Sequence, residues 1–201
     1  MLIFVIDDEL PLLNEARRAI AEAAPDAEIV PYLSAKEALD AIKTQELSPN
    51  IVFSDIEMPG MSGLELAAQL SRGTLIAVTG TNGKTTTVSL LGEIFTNVGK
   101  VTHVVGNIGY PFSLASLISR KEDVIVCEVS SFQMETADTF HPHVALLTNI
   151  TEDHLNRHGT MEKYIALKER IFENCAGDDV VVLNWEDPVT RDMASRVKCR
   201  V

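Results

Sequence analysis

One glycine-containing stretch decides the fold: Val78-Thr79-Gly80-Thr81-Asn82-Gly83-Lys84-Thr85-Thr86-Thr87. It follows the apolar run 75–77 and opens a helical pattern, which predicts a strand, a tight turn and the start of a helix. Such a turn directs several backbone N–H groups and the helix N-terminus at one point, where they can bind phosphate. Lys84 adds a positive charge, and the Thr85 hydroxyl can bind Mg²⁺. The sequence therefore predicts that residues 80–86 bind the phosphates of a nucleotide.

The spacing of the two glycines differs from that of the commonest phosphate-binding loop, because Val78 stands where that pattern has its first glycine. Gly80 and Gly83 define a tighter loop, which indicates a particular subclass. The alternative is an ordinary connection between a strand and a helix. The lysine and hydroxyl residues after Gly83 favour the phosphate site.

Composition excludes several other classes of protein. The 201 residues carry a formal net charge of −12, which argues against a nucleic-acid partner, since such a partner would need a basic face. No apolar run approaches membrane-spanning length, and the N-terminus lacks the basic start of a signal peptide. The three cysteines form neither a disulfide framework nor a zinc motif. We expect a cytoplasmic protein with a small-molecule nucleotide as partner, and no nucleic-acid or membrane partner.

Short apolar runs alternate with amphipathic helical patterns, which predicts an α/β fold of three layers (αβα) with mainly parallel sheets. The predicted strands are 2–6, 28–33, 51–54, 75–79, 101–105, 124–127, 144–148 and 180–183. Ser62 is a predicted N-cap, and further helices are expected to begin near Lys84, Pro111, Ser131 and Met161. Motif content changes near 71–74, so we expect domains at 1–72 and 73–201. Two packed units are favoured over one continuous sheet.

Three carboxylates follow strands of the first domain. Asp7 and Asp8 come directly after the first strand, and Asp55 follows the third. The carboxyl ends of parallel strands meet at one edge, where these groups would repel one another unless a cation lay between them. The sequence therefore predicts a Mg²⁺ pocket in which Asp55 accepts a phosphoryl group. The alternative is that the three residues only cap helices and lie in solvated loops.

These acids and the stretch Asp55-Ile56-Glu57-Met58-Pro59-Gly60-Met61-Ser62-Gly63 resemble the receiver domain of two-component response regulators over positions 1–70. The resemblance implies the first half of a flavodoxin-like domain, with Asp7 and Asp8 as metal ligands and Asp55 as the phosphorylated residue. Receivers continue to a Lys-Pro pair, and this chain contains none. Thr79 falls where the switch threonine of that family would lie, but it also belongs to the phosphate loop.

From about position 74 the sequence resembles the central ATP-binding domain of the Mur ligases, and within that family the enzymes that add D-glutamate. The resemblance is carried by four segments: the phosphate loop 80–86, Gly106-Asn107-Ile108-Gly109, Glu128-Val129-Ser130-Ser131-Phe132-Gln133-Met134-Glu135, and Asn149-Ile150-Thr151-Glu152-Asp153-His154 followed by Lys168. It implies a P-loop domain that uses ATP and Mg²⁺ in peptidoglycan synthesis.

The same resemblance assigns residue roles. It implies that Lys84, His154 and Lys168 are catalytic, and that Lys168 carries a carbamate. It implies Mg²⁺ ligands at Thr85, Glu128, His154 and Lys168, and it places Asn107 and Ser131 against a UDP-muramoyl substrate. From the residues alone, a loop histidine or a helix lysine is more often simply solvated.

Taken together, the sequence predicts an ATP- and Mg²⁺-binding module derived from a peptidoglycan-precursor ligase and fused to a receiver fragment. Relative to that family we expect the UDP-binding domain to be replaced and the C-terminal part to be truncated. An engineered chimera without full ligase activity is therefore the favoured interpretation. The alternatives are a signalling module that accepts phosphate on Asp55, and an inactive designed scaffold.

Overall fold

The computed structural model describes residues 1–44 and 47–201. The strands in these residues are β1 (Leu2–Ile6), β2 (Glu28–Tyr32), β3 (Ile51–Ser54), β4 (Thr74–Thr79), β5 (Thr102–Gly106), β6 (Val124–Glu128), β7 (Val144–Leu147) and β8 (Val180–Leu183). The helices are α1 (Leu10–Ala23), α2 (Ala35–Thr44), α3 (Gly63–Leu70), α4 (Lys84–Asn97), α5 (Phe112–Ile118), α6 (Leu155–His158), α7 (Met161–Glu169) and α8 (Pro188–Met193), with 3₁₀ turns at Arg170–Phe172 and Ala194–Arg196.

The strands form two separate sheets. The first has the order β2-β1-β3 and the second the order β5-β6-β4-β7-β8. All strand pairs within the two sheets are parallel. The predicted α/β class is confirmed, and two units rather than one continuous sheet are present. The proposed boundary between residues 72 and 73 falls between α3 and β4 and stays a prediction.

One predicted helix is wrong. The chain from Ser131 to Thr136 forms a turn instead of a helix. The reason is local: Gln133 Oε1 accepts the Ser130 N–H at 2.9 Å, while the Gln133 N–H donates to Ser130 Oγ at 3.3 Å. These side-chain bonds compete with helical ones. None of the described helices combines the length and apolar character needed to cross a membrane.

Helices cover both faces of the three-stranded sheet. Successive side chains of its central strand β1 point to opposite faces, and each set packs against helices. Ile3 and Val5 of β1 pack with Leu13 of α1. Phe4 and Ile6, which point to the opposite face, form a second core with residues of α2 and α3. This period of two is what a strand with both faces buried requires. The first unit therefore has the predicted three layers.

The five-stranded sheet follows the same rule. Ile76 and Val78 of its central strand β4 pack with Val88 of α4. Leu75 and Ala77 face the other side and belong to the largest core of the described chain. Because β4 has a parallel neighbour on each side, its carboxyl end lies in the middle of the sheet edge. That edge is where α/β proteins bind ligands.

Helix α3 belongs to both cores. Leu66 packs into the core of the three-stranded sheet. Leu64 and Ala67 pack into the core of the five-stranded sheet. The helix is therefore buried on two sides, and it connects the two units through apolar contacts on each.

A buried carboxylate fixes this helix in place. Glu65 Oε2 accepts hydrogen bonds from the Ser62 N–H (2.8 Å) and the Ser62 hydroxyl (2.9 Å), and Ser62 Oγ caps the Glu65 N–H. The other oxygen, Oε1, accepts the Thr139 N–H and the Thr139 hydroxyl, the latter at 2.6 Å. Glu65 thus completes the predicted N-cap at Ser62 and also binds the second unit.

We predict that Glu65→Gln lowers the free energy of unfolding by about 2 kcal/mol, because the amide cannot accept all four donors and leaves buried groups unsatisfied. Urea denaturation followed by circular dichroism measures this loss. Glu15→Gln, on the exposed surface of α1, serves as control and is expected to change the value by less than about 0.5 kcal/mol. Equal effects of the two substitutions would contradict the role given to Glu65.

Candidate functional site

The glycine loop after β4 needs both of its glycines. Gly80 has φ +142° and Gly83 has φ +82°, values in the range that side-chain-bearing residues avoid. A Cβ atom on Gly80 would lie 2.0 Å from Oγ1 of Thr148. The loop therefore passes directly against the residue that follows β7, which leaves no room for a side chain at position 80.

Two backbone N–H groups of this loop already donate hydrogen bonds within the protein. The Thr81 N–H donates to the Asn149 carbonyl at 2.8 Å, and the Asn82 N–H donates to Asn149 Oδ1 at 3.0 Å. Thr148 Oγ1 donates back to the Asn82 carbonyl at 2.7 Å. The part of the chain that the structure describes provides no side-chain cap for α4. The first turn of α4, beginning after Gly83, therefore offers the amides for an anion.

Lys84 and Thr86 lie in that first turn. The Lys84 Nζ donates to the carbonyls of Gly80 (3.1 Å) and Thr81 (2.9 Å). Within the described residues no carboxylate lies within 4.0 Å of this ammonium group. Its charge is therefore held at the loop and not neutralised by a neighbouring acid.

The structure brings three predicted residues together at the end of β6. Glu128 is 1% exposed. Its Oε2 accepts the Thr85 hydroxyl, and its Oε1 accepts Asn107 Nδ2, each at 2.9 Å. A carboxylate beside a hydroxyl oxygen is a donor set that suits Mg²⁺. A cavity of about 170 Å³ lies between the two sheets and is lined by residues that include Ser54, Gly106 and Gln133.

The side chain of Lys168, in α7, also contacts the glycine loop. It is 2% exposed, and its Nζ donates to the Gly80 carbonyl at 2.9 Å and lies 4.8 Å from the centre of the Tyr164 ring. Burial, with the positive charge of Lys84 as a further cause, lowers the pKa of Lys168 to about 7. A substantial fraction of this amine is therefore uncharged and nucleophilic near neutral pH.

His154 lies apart from the Glu128 group. It has φ 51° and precedes α6. In the described chain its ring lies 4.9 Å from that of Phe132, and its Nε2 lies 3.4 Å from Asp153 Oδ2. Among the described residues, no hydrogen bond or ion pair joins His154 to Glu128 or Lys168. The metal ligand set implied by the sequence is therefore only partly assembled.

Ser131 is connected to residues that the sequence did not single out. Its Oγ lies 3.0 Å from His158 Nε2, and His158 Nδ1 lies 3.3 Å from Glu135 Oε1. Arg157 binds Glu135 through Nε (3.0 Å) and Nη2 (2.8 Å), and its Nη2 also contacts Glu57 at 3.0 Å. No spacing rule in the sequence indicates this chain of contacts, which crosses from the second unit to the first.

The acidic cluster of the first unit is assembled as predicted. One carboxylate oxygen from each of Asp7, Asp8 and Asp55 lies within 4.8 Å of the others. Asp7 Oδ1 also accepts the Glu9 N–H, and Asp55 Oδ1 accepts the Ile56 N–H. This group lies at the edge of the three-stranded sheet, so it is a second candidate site, separate from the glycine loop.

Two family profiles match the sequence. The profile of the Mur ligase middle domain matches residues 78–201, and that of the response regulator receiver domain matches residues 3–95. The matches overlap over residues 78–95, which contain the glycine loop and most of α4.

Curated relatives agree with the first profile. The UDP-N-acetylmuramoylalanine--D-glutamate ligase of Thermoanaerobacter sp. (strain X514) is 45% identical over 174 residues, which are 83% of this chain and 38% of that protein. The ligase of the same name from Alkaliphilus metalliredigens (strain QYMF) is 55% identical over 129 residues, 64% of this chain and 28% of that protein. The chain thus spans about two fifths or less of the length of these relatives.

A solved structure supports the fold. A crystal structure of MurF from Acinetobacter baumannii superposes on 98% of this chain and 44% of its own, with a TM-score of 0.61 and 22% sequence identity. This similarity covers both sheets and concerns the fold alone.

We predict that the stability difference between the wild type and Lys168→Met depends on pH. A buried lysine with a lowered pKa binds its proton more weakly in the folded state than in the unfolded state. Between pH 7 and about 10 the unfolded state therefore holds more protons, and the wild type gains about 1 kcal/mol per pH unit relative to Lys168→Met.

Urea denaturation in buffer free of carbon dioxide at pH 7, 8, 9 and 10 measures this trend. Lys163→Met, at an exposed position of the same helix, is the matched control and is expected to show no such slope. A pH-independent difference for Lys168→Met would show that the amine keeps its ordinary pKa.

Proposed function

The chain belongs to the Mur ligase family through its middle domain, and we propose that its function is to bind Mg·ATP at residues 80–86. The observation that carries this proposal is the uncapped first turn of α4, which contains Lys84, a lysine with no carboxylate partner among the described residues, and Thr85, which is bonded to Glu128. A nucleoside triphosphate with its metal requires backbone amides and a lysine to bind the phosphates. It also requires a hydroxyl beside a carboxylate to bind the metal.

We propose that each residue of the loop has a distinct role. The amides from Gly83 onward face the phosphates, and Lys84 moves from the loop carbonyls to the β- and γ-phosphate oxygens. Thr85 and Glu128 hold Mg²⁺, whose charge would neutralise the transferring phosphoryl group when it is bound. Thr81 and Asn82 support the loop through Asn149, so their contribution is to its shape.

Lys168 and His154 complete the site in this proposal. The buried amine of Lys168 has no carboxylate partner among the described residues, and its low pKa supports reaction with carbon dioxide to form a carbamate, with loss of one proton. The carbamate oxygens would supply a further ligand for Mg²⁺. His154 would join them by rotating away from Phe132, which its 47% exposed side chain permits.

The substrate side of the site is proposed by analogy with the relatives. Their name specifies UDP-N-acetylmuramoylalanine and D-glutamate, and we propose that Asn107 and Ser131 face an acyl substrate of that class. Asn107 is suited to this role because its amide is already fixed to Glu128, and because it follows Gly106, which lines the cavity between the two sheets. Amide formation is an activity of relatives more than twice as long, so the function proposed for this chain is nucleotide binding.

We predict that Lys84→Ala weakens Mg·ATP binding at least tenfold, because a charge-assisted contact to phosphate contributes about 1.5–3 kcal/mol. Isothermal titration calorimetry with and without Mg²⁺ measures the effect. Lys100→Ala, beyond the other end of α4, is the matched control and is expected to bind like the wild type. Equal affinities of the wild type and Lys84→Ala would reject the site.

A second function is favoured by the cluster of Asp7, Asp8 and Asp55. We propose that it holds Mg²⁺ and that Asp55 accepts a phosphoryl group, as the receiver match suggests. Three acidic oxygens within 4.8 Å of one another repel, and a cation between them would remove this repulsion, which supports a metal at this edge. An acyl phosphate would transfer its phosphoryl group to an Asp55 carboxylate oxygen: a new O–P bond forms while the donor's O–P bond breaks and the donor's carboxylate leaves.

We predict that acetyl phosphate with Mg²⁺ adds one phosphoryl group to the chain and that Asp55→Asn abolishes this adduct. Intact-protein mass spectrometry at neutral pH detects it. Asp40→Asn, on the surface of α2, should leave labelling unchanged. Labelling that persists in Asp55→Asn, or none in the wild type, would remove this second function without affecting the first.

A further inference from the structure

The loop after β8 carries the single tryptophan of the sequence, and most of its side chain is uncovered. Trp185 is 60% exposed. Among the described residues its ring has no aromatic or cationic partner. One exposed apolar side chain is ordinary on a protein surface, so the position of this ring in the fold has to decide what it does.

Trp185 lies at the sheet edge that carries the glycine loop. Thr79, at the end of β4, pairs with Leu147 of β7, and Leu147 pairs with Leu183 of β8. The three strands therefore end at one level, and both Gly80 and Trp185 follow within two residues of it. Two interstrand spacings separate β4 from β8, which amounts to about 10 Å. An extended nucleoside triphosphate spans a comparable distance between its phosphates and its base.

The loop is fixed to the segment that also supports the glycine loop. Asn184 Nδ2 donates to the Thr148 carbonyl at 2.9 Å, and the Ile150 N–H donates to Asp187 Oδ2 at 2.9 Å. Residues 148–149 in turn hold the glycine loop through the hydrogen bonds described above. The residues on each side of the tryptophan are thus tied to the phosphate site through one intervening segment. The backbone that carries the ring therefore has a set position relative to that site.

The metal side of the site decides which end of a nucleotide lies near β8. In the proposed function Thr85 and Glu128 hold Mg²⁺, and Glu128 ends β6, which lies on the opposite side of β4 from β7. The metal bridges the β- and γ-phosphates, so the γ-phosphate lies towards β6. The α-phosphate, the ribose and the base then extend the other way, over the ends of β7 and β8, where the ring of Trp185 is exposed.

We propose that Trp185 is the stacking platform for the base of the bound nucleotide. This inference rests on the proposed function, in which residues 80–86 bind the phosphates. The face of an indole ring packs on the face of any nucleobase, and this contact needs no hydrogen-bonding edge. The ligand class is therefore a nucleoside triphosphate held by its phosphates at one end and by base stacking at the other. Trp185 senses that a base is present and does not distinguish its polar edge.

The first test compares two ligands that differ only in the base. Isothermal titration calorimetry of the full chain with Mg²⁺ measures the affinities for ATP and for ribose 5-triphosphate. The wild type is expected to bind ATP at least about fivefold more tightly, which is the effect of one base stacked on an aromatic side chain. Trp185→Leu should remove most of this preference and leave the affinity for ribose 5-triphosphate unchanged. Trp185→Phe, which restores an aromatic ring, should keep it.

Tyr110→Leu is the matched control, because Tyr110 is 48% exposed and lies beside β5, at the opposite end of the sheet. This variant should keep the full preference for ATP. Equal affinities of the wild type for the two ligands, a preference that survives in Trp185→Leu, or one that is lost in Tyr110→Leu would overturn the proposal while the phosphate site stands. Binding of neither ligand to the wild type would refute the proposed function, and the proposal would fall with it.

The second test observes the ring itself. Because the sequence contains one tryptophan, the intrinsic fluorescence excited at the red edge of its absorption reports on Trp185 alone. Mg·ATP is expected to quench this emission with the dissociation constant that calorimetry gives, whereas ribose 5-triphosphate should leave it nearly unchanged. An unchanged emission at saturating ATP would place the base elsewhere and overturn the proposal.

Discussion

The structure depends on one helix that has to satisfy two hydrophobic cores at once. Helix α3 places Leu66 in the core of the first sheet and Leu64 in the core of the second. Its position is fixed by the buried Glu65, whose two oxygens bind Ser62 on its own unit and Thr139 on the other. A buried carboxylate is tolerated here because its acceptor sites are filled by N–H and O–H donors. A receiver-type half and a ligase-type domain can therefore fold as one body.

The arrangement of the nucleotide site follows from the register of parallel strands. Val78 pairs with Glu128, and Thr79 pairs with Leu147, so the three strands end at the same level. The loops that follow must then meet at one edge, which brings the glycine loop against Asn149 and next to Glu128. The strand ends of the second sheet thus position the candidate nucleotide site, and the strand ends of the first sheet position the acidic cluster.

Local sequence signals were sufficient for much of this account. Short apolar runs such as β1 and β4, which alternate with amphipathic helical patterns, predicted a mainly parallel α/β fold, and the Gly80–Gly83 spacing predicted a tight phosphate loop. The resemblances to the Mur ligases and to receivers are both supported by family profiles. The first of them indicated Glu128 and Lys168 as site residues. These signals are readable because each depends on neighbours in the chain.

Contacts between distant segments were not readable in the same way. The amides of Thr81 and Asn82 are bound by Asn149, which sequence spacing does not reveal. The helix expected at Ser131 was replaced by a side-chain turn. His158 contacts Ser131 and Glu135 at sequence separations that no periodic pattern encodes. The double burial of α3 likewise arises only when both sheets are present.

Differential scanning calorimetry of the full chain tests whether α3 and Glu65 unite the two sheets into one folding unit. If they do, a single heat-absorption peak is expected, with a calorimetric enthalpy equal to the van't Hoff enthalpy. Two separate transitions, or a calorimetric enthalpy well above the van't Hoff value, would show that the sheets unfold independently and would contradict it.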